Sequence, residues 1–159
     1  MSRTILAVRH GKPEGSTNPT DSHGPHLAIE AIEAAKRMRL DNPRFSKGIG
    51  VMAVTDTWRS KETATLLGAS SLITSSALNE LTPSLSIEEL RAMAAAGEAP
   101  REFIDAGLQA LTTAPTETDY WVIHGWKGMG ILAAVVEVGG THNATSLLIP
   151  NLATVEFTY

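Results

Sequence analysis

Two arginines and two histidines share a local context in this chain. Arg9 and His10 close the run Thr4-Ile5-Leu6-Ala7-Val8, Arg59 stands shortly after the apolar segment Ile49 to Val54, and His124 follows Tyr120-Trp121-Val122-Ile123. A guanidinium keeps its charge at any working pH and offers a planar fork of donors that matches the oxygens of a phosphoryl group. An imidazole can attack as a nucleophile or donate to an anion. Two of each, converging, would bind a dianion and could transfer it. Taken singly, each has a plainer reading: a histidine that satisfies a local hydrogen bond, or a solvated arginine in the first turn of a helix. The shared position after a strand favours the functional reading, because the carboxyl ends of parallel strands meet along one edge of an α/β sheet, where ligands bind.

The intervening segments supply the elements that must bring these residues together. Apolar runs predict strands at 4–8, 49–54, 71–75, 120–123, 145–149 and 154–159. Leu27, Ala31, Ala34, Ala35 and Met38 recur at helical spacing, so 27–40 is expected to be an amphipathic helix ended by Asn42-Pro43. Further helices are expected after Asp56 or Thr57 as N-cap, at 86–96 with Ser86 and Glu89 spaced as a capping box, at 100–111, and at 128–138. The helix after His124 would add backbone donors and positive dipole to an anion site. The proline- and glycine-bearing stretch 12–26 reads as a loop leaving the first strand at the site. Strands alternating with helices predict an α/β fold, a three-layer α/β/α sandwich around a mostly parallel sheet, in one domain spanning 1–159.

Composition narrows the partners. A net charge of −4 argues against a general nucleic-acid or membrane-surface binder, so any basic site must be local. The sequence has no cysteine, which excludes thiolate catalysis, disulfides and cysteine-based zinc sites. With no membrane-spanning run and no signal-peptide pattern, a cytoplasmic protein is expected. His23 and His26 are spaced like metal ligands, but no cysteine and no cluster of acids accompanies them, and neither metal nor cofactor is expected.

Four segments together carry a family resemblance. Val8-Arg9-His10-Gly11, Thr55-Asp56-Thr57-Trp58-Arg59-Ser60-Lys61-Glu62-Thr63-Ala64, Leu78-Asn79-Glu80 and Val122-Ile123-His124-Gly125 resemble, in order, the signature of the histidine phosphatase superfamily, also called phosphoglycerate mutase-like. The resemblance runs over nearly the whole chain and implies that fold. It implies that His10 is the nucleophile, becoming a transient phosphohistidine that water hydrolyses. It implies that Arg9, Arg59 and His124 hold phosphate oxygens, and that Glu80 gives the leaving oxygen a proton. Nearby arginines would disfavour protonation of His10.

Departures from the family pattern are specific. An asparagine common six residues after the nucleophile is Ser16 here, with Asn18 two further on; the usual Ser-Pro-Leu before the second arginine is Thr55-Asp56-Thr57, which puts an acid beside an anion site. Trp126-Lys127 follows His124-Gly125 where small or aliphatic residues are commoner. Trp126 could be a core anchor or a pocket wall, and Lys12 and Lys127 could add charge at the pocket rim. The short interval from Glu80 to His124 favours a small phosphatase over a dedicated mutase. The expected activity is hydrolysis of phosphomonoesters through His10; the alternatives are a protein phosphohistidine phosphatase, mutase-type phosphotransfer, or a non-catalytic phosphate-binding or interaction module. The partner is a phosphorylated small molecule or a phosphohistidine protein.

Overall fold

In the computed structural model, which describes residues 2–15 and 21–159, the chain alternates strands and helices. They run β1 (Thr4–Arg9), α1 (Ile29–Asp41), α2 (Pro43–Ser46), β2 (Val51–Val54), α3 (Trp58–Leu66), β3 (Ser71–Thr74), α4 (Ile87–Ala95), α5 (Arg101–Thr113), β4 (Tyr120–Ile123), α6 (Gly125–Glu137), β5 (Thr141–His142) and β6 (Thr154–Thr158). A single 3-10 turn at Ser76–Leu78 follows β3. The strands form one sheet in the order β3-β2-β4-β1-β6-β5. The first four are mutually parallel, and β6 and β5 complete the sheet in antiparallel sense. Ser16 and Asn18 lie outside the described residues. No helix among the described residues is long and apolar enough to cross a membrane.

Strand periodicity builds two cores. Successive side chains of a strand point to opposite faces, so Leu6 and Val8 pack with Ala35, Phe45, Ala64 and Leu67 on the α1–α3 side. Ile5 and Ala7 pack with Phe103, Met129, Ile131 and Leu132 on the α5–α6 side. Both faces of the sheet are thus covered, and the architecture is a three-layer α/β/α sandwich. Central strands buried on both faces explain why β1, β2 and β4 read as unbroken apolar runs.

Local chemistry sets most boundaries. Asn42 closes α1 and opens α2, its Oδ1 accepting from the Arg44 amide at 3.0 Å. Thr57 caps α3 by accepting from Ser60 N, and Ser86 caps α4 by accepting from Glu89 N at 3.2 Å. Two expectations are corrected. Residues 145–149 do not form a strand; the edge strand is Thr141–His142 instead. The Leu147 amide bonds the Ala94 carbonyl and the Ile149 carbonyl accepts from Arg9, so this backbone is committed to α4 and to a side chain rather than to a ladder. The last long helix begins at Gly125, not at 128, because an acceptor remote in sequence satisfies its first amides, as described below.

Helices α5 and α6 touch backbone to backbone. A Cβ on Gly107 would lie 2.1 Å from the Gly130 carbonyl oxygen, and one on Gly130 would lie 2.3 Å from the Phe103 oxygen. Only glycine at both places allows this approach, which sets how far α6 reaches along the sheet. Gly130→Ala should therefore push α6 outward and cost about 1–3 kcal/mol, read as a lower urea midpoint with unchanged slope.

Candidate functional site

Arg9 is the last residue of β1, and His10 follows at once where its amide bonds the Ile123 carbonyl at 3.2 Å. The neighbouring parallel strand β4 ends beside it and is followed at once by His124. The His10 and His124 rings stand 4.9 Å apart between centroids. Strand β2, on the other side of β4, leads through Thr55 into α3, whose second residue is Arg59. The charges of Arg9 and Arg59 both bear on His10 and on His124. The four residues that the sequence places after three separate strands thus share one location at the carboxyl edge of the sheet.

Each of them is held by neighbours. The His10 Nδ1 is 2.8 Å from the Gly11 carbonyl oxygen, which can only accept, so Nδ1 carries the proton and Nε2 keeps its lone pair. Asn151 donates to the His10 carbonyl at 2.9 Å, and the Gly11 amide donates to Thr63 Oγ1 at 3.0 Å. The His124 Nε2 lies 2.7 Å from Thr55 Oγ1, whereas its Nδ1 is buried without a protein partner among the described residues. Arg9 donates through Nη1 to the Ile149 carbonyl at 2.8 Å, and its Nε is likewise buried and unpartnered. Gly125 makes room for this guanidinium: a Cβ there would stand 2.9 Å from Arg9 Cζ.

Glu80 sits where an anion would be drawn. Its Oε1 accepts from the Lys127 amide at 2.8 Å and from the Leu81 amide at 2.9 Å, and its Oε2 accepts from the Trp126 amide at 3.2 Å. The Trp126 and Lys127 amides belong to the first turn of α6 and have no partner within the helix, and the positive end of the helix dipole favours a carboxylate there. The donors that the sequence assigns to a bound phosphate are therefore held by Glu80. This is also why α6 starts at Gly125.

Electrostatics follow from burial. His10 is pushed down to about 4, first by burial and then by the Arg59 and Arg9 charges, with the Gly11 hydrogen bond opposing. His124 is pushed down to about 3, first by burial and then by His10 and the same arginines. The expectation that the arginines keep His10 neutral holds, but desolvation is the larger cause. Burial also lowers Arg9, Arg59 and Lys127, and Glu80 opposes it in each case. No Arg9 or Arg59 ion pair occurs among the described residues, so the site gathers more positive charge than it balances.

The remaining sequence candidates are distributed around this centre. Asp56 neither caps α3 nor pairs with His10 or His124: it pairs with Lys61 and lies 3.4 Å from His23 Nε2. Lys12 is exposed and 3.6 Å from Glu30. Trp126 is half-buried against the α5–α6 core. Lys127 is buried and turns toward a different pocket. His26 stacks on Trp58 at 4.9 Å and faces Glu62, and His23 lies between Asp21 and Asp56. Gly24 of this loop, at φ +75°, passes over Arg59, since a Cβ would lie 2.9 Å from Nη1. Thr55, Thr63 and Asn151 were not singled out from sequence for roles at the site; Thr63 lies in the motif around Arg59 and Asn151 in the Pro150-Asn151 turn.

Comparisons with known proteins bear on the fold. No family model matches the sequence, and no curated protein matches it. Among solved structures, a phosphoserine phosphatase from Entamoeba histolytica in complex with 3-phosphoglyceric acid matches with a TM-score of 0.65 at 13% identity, over 96% of this chain and 89% of that one. A mycobacterial hydrolase matches at 0.60 and 15% identity over 99% and 91%. A Thermus thermophilus protein matches at 0.61 and 17% identity over 97% and 92%. At such identities the likeness establishes a shared α/β fold over nearly the full chain, of a kind used by phosphatases and hydrolases.

The two depressed imidazoles make stability depend on pH. Unfolded, each titrates near 6.5; folded, they resist protonation down to about 4 and about 3. Between these limits the unfolded chain binds more protons, so stability is fully present above 6.5 and falls as pH drops through the window, by roughly 1.4 kcal/mol per pH unit per histidine. Urea unfolding between about pH 7 and pH 5 should show this slope, and His10→Asn should remove roughly half of it.

Proposed function

We propose that this chain is a phosphatase of the histidine phosphatase type, hydrolysing phosphomonoesters through a phosphohistidine on His10. The observation that carries the reading is the fixed tautomer of His10: a neutral ring with Nδ1 bonded to Gly11 and Nε2 free, beside Arg9, Arg59 and His124. The hydrolase and phosphatase names among proteins sharing the fold support it at the level of reaction class.

The chemistry divides into two displacements. Nε2 of His10 attacks phosphorus, the P–O bond to the leaving group breaks, and the leaving oxygen takes a proton from Glu80 in its acid form. Water then attacks the phosphohistidine, the P–N bond breaks, and the Glu80 carboxylate takes the proton lost by water. Arg9, Arg59 and the unpartnered His124 Nδ1 stabilise the charge on the transferring group.

A second reading rests on Glu80 itself. Both of its oxygens are engaged by amide donors, and an imidazole leaving group needs a proton less than an alkoxide does, which favours protein phosphohistidine as substrate. The two are separated by assaying a panel of phosphomonoesters and a phosphohistidine peptide with wild type, His10→Ala and Glu80→Gln. Wild type should turn over phosphomonoesters and form an acid-labile phosphoenzyme that His10→Ala lacks. Glu80→Gln should lower kcat/KM for alcohol phosphates by about 10²–10⁴-fold and spare the peptide. Phosphate binding with neither turnover nor labelling would leave a non-catalytic phosphate-binding module.

A further inference from the structure

Lys127 presents a charge that the chemistry above does not use. Its side chain is only 7% exposed, and its ammonium has no ion pair and no hydrogen bond among the described residues, Glu80 meeting its backbone amide instead. The ammonium is not among the fully buried unpartnered atoms, so the stem is buried while the head reaches open space, where an anion can meet it. The side chain lines a pocket of about 290 Å³ between the exit of β3, α5 and the first turn of α6. The other polar lining groups are Ser75, Ser76, Gln109 and Thr113, and no carboxylate lines the pocket. Thr113 spends its hydroxyl proton on the Gln109 carbonyl at 2.7 Å. The Ser75 hydroxyl accepts from the Ala77 amide and keeps its own proton to donate.

We propose that this pocket is a second anion site, taking a compact oxyanion, a carboxylate or a phosphate group, on the Lys127 ammonium with the Ser75 and Ser76 hydroxyls and the Gln109 amide as further donors. It shares no lining residue with the Arg9, His10, Arg59 and His124 cluster, and it stands whether or not that cluster is catalytic. The charge of Lys127 also bears on His124, and that of Glu80 on Lys127. An anion in the pocket is therefore felt by two groups of the neighbouring site.

The test is a titration of the full chain with inorganic phosphate and, separately, with acetate, followed by amide NMR at Ser75, Ser76 and Ala77. Wild type should show saturable shifts with at least one anion, and which anion acts tells the carboxylate source from the phosphate source. Lys127→Met should weaken the response at least tenfold, whereas Arg59→Ala should leave it in place. Ser76→Asp, at an exposed position, places a carboxylate beside the ammonium and should abolish the response; it decides the matter if Lys127→Met does not fold. Absence of shifts with both anions, their persistence in Lys127→Met or Ser76→Asp, or their loss in Arg59→Ala would overturn the proposal. A lack of phosphatase turnover would leave it intact.

Discussion

The carboxylate of Glu80 on the first amides of α6 is the contact around which the site is assembled. A helix that starts directly at a strand end leaves its first amides without intrahelical acceptors, at the place where the sheet edge is already crowded with cations. Glu80 satisfies two of them and supplies the negative charge that opposes the burial of Arg9, Arg59 and Lys127. Without it, α6 would begin on unpaired donors and no acid would oppose the burial of these cations. The position of α6, the segment after the 3-10 turn and the electrostatics of the histidines all refer to this one group.

The scaffold serves that arrangement through close approach. Parallel pairing of β1 with β4 and of β4 with β2 brings their carboxyl ends side by side. The contact of Gly107 with Gly130 seats α6 against α5, and Gly125 leaves space for the Arg9 guanidinium. Burial then acts on chemistry: it is the largest cause holding both imidazoles neutral, and it leaves polar atoms of Arg9 and His124 without partners among the described residues. A cluster with more donors than acceptors is what the proposed phosphate-binding role requires.

What could be read from the sequence follows physical periodicity. Strands β1, β2 and β4 were legible because double-sided burial makes their residues uniformly apolar, and the caps at Thr57 and Ser86 because a hydroxyl accepts from an amide only a few residues away. The segment 145–149 misled because buried Leu147 and Ile149 satisfy the apolar pattern of a strand while their backbone groups bond Ala94 and Arg9, a distinction that alternation cannot express. Asp56 could not be aimed from sequence, since its direction depends on Lys61 and on the loop carrying His23.

The amino-acid sequence by itself determined the class of fold and the placing of Arg9, His10, Arg59 and His124 at strand exits, because apolar runs and punctuating residues act over a few positions. Tertiary structure decided what those residues face. The bond from Nδ1 of His10 to its own neighbour is local, but the tie of Thr55 to His124, the seat of Glu80 on α6 and the turn of Lys127 into a separate pocket join residues distant along the chain. Such contacts are set by how the layers pack, and packing is a property of the whole sheet and its helices rather than of any stretch of sequence.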